Sequence, residues 1–314
     1  MRVAIFGAGG VGGYLGARLA EAGQDVAIIA RGPHLAAIRK HGLRLESIAG
    51  DVTARPTVAT DDPTEVGPVD AVVVATKTWQ LADAVRAMPP LMGPDTMAIP
   101  VLNGIEAADI LSGALGSEHV VGGLCGMISF VASPGHIRHQ GAEPWVTFGE
   151  LDRRVTDRVH RFEEVLGTCR GLRVEVAADI HVALWEKFMF ITATGGVGSV
   201  TRVPMGVFRA VPESRAILEA AMHEVHAVAG ARGIDLPAGA VEERMAFVDR
   251  LEFEGTSSMQ RDFMDGRRTE LDAWNGAVVR LGREAGVDTP VHAFLYASLL
   301  PQELRARGDP VAAP

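Results

Sequence analysis

Arg2-Val3-Ala4-Ile5-Phe6-Gly7-Ala8-Gly9-Gly10-Val11-Gly12 follows the first methionine and carries the strongest structural signal in the chain. Residues 2–6 form a short apolar run, as expected for a buried strand. The glycines that follow have the spacing Gly-x-Gly-x-x-Gly and lead into a helical pattern over Val11–Ala22. Each glycine has a distinct use in a phosphate cradle. Gly7 permits the tight turn, Gly9 lets a pyrophosphate approach the backbone, and Gly12 lets helix and strand pack closely. The helix start adds free N–H groups and the positive end of its dipole. Gly7, Ala8, Gly9, Gly10, Val11 and Gly12 are therefore candidate cofactor contacts. A glycine-rich turn without a ligand is the competing reading, and the strand-then-helix context counts against it. Val3–Ala17 is also uncharged and follows Arg2, like a secretory leader. Six of those fifteen residues are Gly, however, whereas a leader is Leu-rich, so a cytoplasmic protein is expected.

Outward from this stretch, strand and helix patterns alternate. Apolar runs at Asp25–Ala30, Ala71–Thr76, Met97–Leu102 and Val120–Gly123 predict strands. Pro33–His41, Leu81–Pro89 and Glu106–Leu115 read as helices between them. Such alternation implies a parallel sheet with right-handed crossovers. Residues 135–149 read as an antiparallel addition, 153–169 as a helix and Leu172–Val176 as a last strand. Beyond Asp179 the patterns are helical: His181–Thr194, Glu213–Arg232, Gly239–Glu252, Arg268–Ala285 and Val291–Gln302. The tail from Arg307 reads as frayed. The fold class expected is α/β, a Rossmann-type doubly wound parallel sheet over residues 1–178, followed by an all-α domain over residues 179–314.

Composition narrows the partners. At 314 residues the chain is long enough for two domains. Its net charge of -9 argues against nucleic acid and gives no help toward anionic membranes. No apolar run is long enough to span a membrane. Cys125 and Cys169 have neither disulfide nor zinc-site spacing. His223-Glu224-Val225-His226 is one residue short of a zinc-helix spacing, and His136 and His139 have no cysteine nearby, so no metal is expected.

The second strand separates the two nicotinamide cofactors. An NAD site places an acid about 20 residues after the fingerprint. Here the strand ends Ile28-Ile29-Ala30-Arg31-Gly32. Arg31 offers a planar, permanently charged fork to a 2′-phosphate, so NADP(H) is the expected cofactor. A surface arginine at a helix start is the alternative. Lys77 and Asn103 follow strand runs, beyond the carboxyl ends where ligands bind in open parallel sheets. They read equally as cleft residues or as a solvated lysine and a helix-capping asparagine. Lys187 shares a helical face with Leu184, Phe190, Ile191 and Thr194, where lysine either snorkels, pairs or loses basicity and serves in proton transfer. Ser257 and Ser258 read as a helix cap, and Glu270 as the acid of a helix start.

An ordered set of motifs resembles the ketopantoate reductase family along residues 1–300: GAGGVG at Gly7–Gly12, ATKTWQ at Ala75–Gln80, LNG at Leu102–Gly104, LWEKF at Leu184–Phe188, SSMQRD at Ser257–Asp262 and TELD at Thr269–Asp272. The resemblance implies a C-terminal domain like that of 6-phosphogluconate dehydrogenase and the reduction of 2-dehydropantoate to (R)-pantoate by NADPH. It implies that Lys187 gives the proton to the ketone and that Glu270 lies beside cofactor and substrate. It places Lys77, Asn103 and Ser129 at the cofactor, and Asn103 and Ser258 at the substrate. It also implies a keto-acid partner and a possible homodimer. The family's substrate-side asparagines are replaced here by Ile191, Gly195 and Met205. That departure keeps the chemistry but points to a less polar keto substrate. Two rival readings remain. An NADP(H)-binding sensor without turnover is favoured by Ile191 and Gly195, and an NAD-linked hydroxyacid or opine-type dehydrogenase shares the architecture.

Overall fold

In the computed structural model, which describes residues 1–309, the first half of the chain alternates strand and helix. β1 (Arg2–Phe6), α1 (Gly10–Glu21), β2 (Asp25–Ile29) and α2 (Gly32–His41) lead into β3 (Leu43–Glu46), β4 (Val52–Ala54) and β5 (Val58–Thr60). Next come β6 (Ala71–Val74), α3 (Leu81–Ala87), β7 (Met97–Pro100), α4 (Ala107–Leu115), β8 (Val121–Ser133), β9 (His136–Glu150), α5 (Asp157–Gly167) and β10 (Arg173–Val176). Short 3-10 turns aside, the remaining elements are helices: α6 (Ile180–Thr201), α7 (Met205–Ala210), α8 (Pro212–Ala231), α9 (Ala240–Arg250), α10 (Ser258–Met264), α11 (Asn275–Ala285) and α12 (Pro290–Arg307).

The first sheet has the order β5-β2-β1-β6-β7 and is parallel throughout. Its strands are apolar at nearly every position because both faces are covered. Val3, Ile5, Val26, Ile28, Val73 and Ile99 enter one core, while Ala4, Phe6, Ala27, Ile29, Val72 and Val74 enter the other. The chain winds from β1 outward to β5, then returns to β6 on the other side of β1. The reversal puts the switch point between β1 and β6, where open α/β sheets bind ligands.

A second sheet has the order β10-β9-β3-β4, with β8 paired antiparallel to β9. The antiparallel addition expected over residues 135–149 is β9. The strand expected at Val120–Gly123 runs on to Ser133 because β9 pairs with it from Val121↔Glu150 to Ser133↔His136. β3, β4 and β5 had no counterpart in the sequence reading. Each has three or four residues, too few for a periodic signal, and each exists because β9, β3 or β2 completes its hydrogen bonds.

The chain divides into two compact units. One is Met1–Leu102 with Glu106–Ile180; the other, among the described residues, is Asn103–Ile105 with the chain from His181 onward. In the helical unit three expected boundaries move, the third being the end of α12, which runs past Gln302 to Arg307. α6 does not stop at Thr194 but continues through Gly195, Gly196 and Gly198. Glycine costs a helix about 1 kcal/mol each relative to Ala. Here the missing Cβ atoms make room for Trp274 at 195, Asn275 and Leu295 at 196, and Gln260 and Phe208 at 198. The helix expected from Arg268 begins only at Asn275. The buried Glu303 carboxylate accepts from the Thr269 N–H (2.8 Å) and hydroxyl (2.6 Å), which holds Thr269–Leu271 in a turn.

Glu224 also finds its use in packing. Its carboxylate accepts from the backbone N–H groups of Val291 (2.7 Å) and His292 (2.9 Å), capping the start of α12. α12 reaches Arg307 and closes at Gly308 in a left-handed conformation, φ 75°. Residues 310–314 of the tail expected to fray lie outside the described residues.

Candidate active site

The turn after β1 is built for close approach. Gly7 adopts φ +99°, which side chains rarely tolerate, and its N–H donates to the Ile29 carbonyl at 3.0 Å. A methyl group on Gly12 would lie 1.9 Å from the Gly7 carbonyl oxygen, so only glycine lets α1 sit down on β1. On Gly10 it would lie 2.1 Å from the Ser129 carbonyl oxygen, so β8 runs against the start of α1. On Gly9 it would meet nothing within 4 Å. The cradle is thus packed on protein at Gly10 and Gly12 and open at Gly9. No side chain caps α1, so its first N–H groups and dipole end are left for another acceptor.

The surrounding polar atoms fit a phosphate-bearing ligand. The hydroxyl oxygens of Thr76 and Ser129 are buried and have no hydrogen-bond partner within the described protein. Thr76 touches the turn directly, its Cγ2 3.0 Å from where a Gly7 methyl would stand. An orphaned buried hydroxyl is costly and asks for a partner. Lys77, next in the chain, holds its ammonium 5.5 Å from the centre of the Trp79 ring, and its N–H donates to Gln80 Oε1 at 3.3 Å. Arg31 stands exposed at the N-cap of α2, directly after β2.

Sequence reading passed over Thr76 as a site residue, although it lies inside the ATKTWQ motif. It also passed over His34. His34 Nδ1 accepts from the Gly135 N–H at 3.0 Å, tying the β8–β9 turn to the first turn of α2. That acceptor role assigns the ring proton to Nε2, on the side of the Ala8 carbonyl. Burial pulls this imidazole below its usual range, so it is neutral near pH 7. No motif signals such a contact, because its partner is 101 residues away.

The helical unit gathers the remaining candidates. Lys187 lies half-buried on α6 beside Trp185 and Phe188. Ile191, one turn on, packs on the cluster of Met259, Phe263, Leu271, Trp274 and Leu299. Gly195, a further turn on, is in contact with Trp274 and Met259. α10 begins with Ser257 as its cap, accepting from the Gln260 N–H at 3.0 Å, and Ser258 follows half-buried in its first turn. Glu270 is buried at the head of a 3-10 turn over Leu271–Ala273. Asn103 arrives with Gly104, whose methyl position lies 3.4 Å from the Ala273 carbonyl, and Ile105 packs on the helical core. Asn103 and Gly104 of the LNG motif and the LWEKF, SSMQRD and TELD motifs therefore all lie within this unit. Met205 does not join them. It is a core residue at the start of α7, and its N–H donates to the Gly255 carbonyl at 2.8 Å.

Among the described residues, no helix is long and apolar enough to cross a membrane. Residues 3–153 match the family described as ketopantoate reductase PanE/ApbA, and residues 179–303 match ketopantoate reductase PanE/ApbA C terminal. "Uncharacterized oxidoreductase YkpB" of Bacillus subtilis (strain 168) is 30% identical over 301 residues, covering 95% of this chain and 98% of that protein. The 2-dehydropantoate 2-reductase of Mesorhizobium japonicum is 30% identical over 311 residues, covering 92% of this chain and 94% of that protein. The crystal structure of a PanE/ApbA family ketopantoate reductase from Ralstonia eutropha JMP134 matches with a TM-score of 0.89 at 30% identity, over 98% of this chain and 100% of that one. With both family segments matched in order along the same chain, this protein belongs to the ketopantoate reductase family of oxidoreductases.

Proposed function

We propose that the protein uses NADPH to reduce the ketone of a 2-keto acid, 2-dehydropantoate to (R)-pantoate or a related keto substrate. The observation that carries the cofactor choice is the end of β2, where Arg31 stands exposed and no acid precedes it from Ile28. A carboxylate there would accept from a ribose 2′-hydroxyl; a guanidinium instead pairs with a 2′-phosphate. The N–H groups at Gly9–Gly12 would hold the pyrophosphate, with the Thr76 and Ser129 hydroxyls as further donors that have no partner within the described protein. Lys77 and Asn103 would take the nicotinamide ribose.

When bound, the reduced nicotinamide supplies a hydride to the carbonyl carbon. The protein's part is charge and a proton. The Lys187 ammonium stabilises the negative charge that grows on the carbonyl oxygen and then donates its proton there, so the ketone becomes a hydroxyl. Glu270 and Asn103 orient the substrate around that oxygen, and Ser258 contacts the substrate from α10.

The test is NADPH and NADH oxidation with a panel of 2-keto acids, on the parent protein and on Lys187→Ala. The parent should turn over with NADPH in preference to NADH. The variant should lose about 100-fold or more in kcat while binding NADPH as before. Near-normal rates in a folded Lys187→Ala protein refute the assignment.

A further inference from the structure

Dinucleotide binding at the glycine turn is the reading on which this inference rests. The head of α1 is gripped by both strands of the β8–β9 hairpin. The Ser129 carbonyl of β8 lies against Gly10, where a methyl group would stand 2.1 Å from its oxygen. Ile137 of β9 lies against Gly13, its Cγ1 2.6 Å from the corresponding methyl position. With contacts this close, the place of the hairpin fixes the place of the Ser129 hydroxyl beside the cradle.

The tip of the hairpin is seated on α2. Gly135 turns with φ +74°, and a methyl group there would stand 2.8 Å from Ala37 Cβ. Its carbonyl accepts from the Arg44 N–H at 2.9 Å, and its N–H donates to His34 Nδ1 at 3.0 Å. An imidazole accepts at Nδ1 only while it is neutral with its proton on Nε2. In this tautomer the Nε2–H lies on the side of the carbonyl of Ala8, a member of the glycine turn. One ring thus stands between the two pieces that flank the cradle, the turn and the hairpin.

We propose that His34 is a positioning residue for dinucleotide binding: through Gly135 it seats the β8–β9 hairpin, and through the hairpin it sets Ser129 against the head of α1. Protonation of the ring puts an N–H on Nδ1, facing the Gly135 N–H, so donor meets donor and the seat is lost. Burial holds this imidazole below its usual range, so the loss comes only in acid. The glycine turn and the first turn of α1 bring no charged side chain to the ring. Its own face of α2 carries Arg31 and His41, β3 carries Arg44 and Glu46, and β9 carries His136 and Arg138. The one carboxylate among these, Glu46, is taken up by His136 at 3.3 Å and Arg138 at 3.0 Å. The others are cations or become cations in acid, and they favour the neutral ring.

Calorimetric titration of NADP+ and NAD+ into the parent, His34→Leu and His34→Asn proteins at about pH 7.5 and about pH 5 tests this, with folding checked by circular dichroism. Leu removes the acceptor. Asn brings its Oδ1 to the place of Nδ1 and does not protonate. At the higher pH, His34→Leu should bind NADP+ about tenfold more weakly than the parent, and His34→Asn should recover most of that loss. On acidification the parent should lose about tenfold more affinity than His34→Asn. A 2′-phosphate titrates at about pH 6, but alike for both proteins, so the difference between them is the readout. A His34→Leu protein that binds like the parent at the higher pH overturns the inference. So does a folded His34→Asn protein that is as weak as His34→Leu or that keeps the parent's full pH dependence. Each of these results leaves dinucleotide binding standing, whereas a parent protein that binds neither dinucleotide overturns both.

Discussion

Two glycine-rich stretches, Gly7–Gly16 at the start of α1 and Gly195–Gly198 inside α6, serve opposite ends. In the first, Gly10, Gly12 and Gly13 are packed against Ser129, the Gly7 carbonyl and Ile137, yet Gly9 faces open space. In the second, every glycine is filled by the protein itself: Trp274, Asn275, Leu295, Gln260 and Phe208 take up the space. The first stretch leaves backbone N–H groups at a helix start, where a ligand can reach them. The second lies inside a helix whose N–H groups are already bonded, so it can contribute only room. A glycine run thus reads as a ligand cradle when it straddles a strand–helix junction, and as a packing seam when it falls in mid-helix.

The largest expected effect contrasts positions within the first stretch. Gly12→Val should cost about 3 kcal/mol or more of stability, since its Cβ would overlap the Gly7 carbonyl. Gly9→Ala should leave the melting temperature nearly unchanged but weaken dinucleotide binding about tenfold. Calorimetry and a binding titration on the two variants check this. Equal destabilisation in both would erase the distinction between packed and open glycines. Next in size is Gly195→Ala, expected to cost about 1–3 kcal/mol by overpacking against Trp274. Trp274→Leu in the same protein should recover part of that loss, a coupling that a double-mutant cycle measures; strict additivity speaks against direct contact.

Arg31→Ala should weaken NADPH binding about tenfold and leave NADH binding nearly unchanged, because only the phosphorylated form loses a charge-assisted bond. Loss of both affinities alike would remove the 2′-phosphate reading. The smallest effect is pH dependence. Burial holds His34 and His139 of the first unit, and His292 of the helical unit, below the usual imidazole range. The unfolded chain then binds more protons than the folded one. Their stabilising contribution is complete above about pH 6.5 and declines as the pH falls below it. Melting temperatures between about pH 7.5 and 5.5 should fall with acidity, and a flat profile contradicts the assignment.

Legibility followed the range of the signal. Asp25–Ile29, Ala71–Val74 and Met97–Pro100 were readable because burial on both faces makes a strand continuously apolar. The short β3, β4 and β5 were not, since their hydrogen bonds come from distant strands. The extension of α6 through three glycines ran against helix propensity, and packing overrode it. Lys187, Glu270 and Asn103 drew notice by their positions, and only the ordered set of motifs gave them roles. Thr76 lay inside one of those motifs without being singled out, and His34 and Trp274 had no such signal.

From its residues alone this chain determined a parallel α/β sheet with a glycine cradle at its first turn, an arginine where an NAD site would carry an acid, and a helical second half. Those features are local: apolar continuity, turn geometry and a charge at a strand end act over a few neighbours. Which hydroxyls are left without partners, and which ring covers Gly195, were decided by tertiary structure alone. Both depend on groups that meet across tens of residues of sequence, where only the packed chain specifies distance.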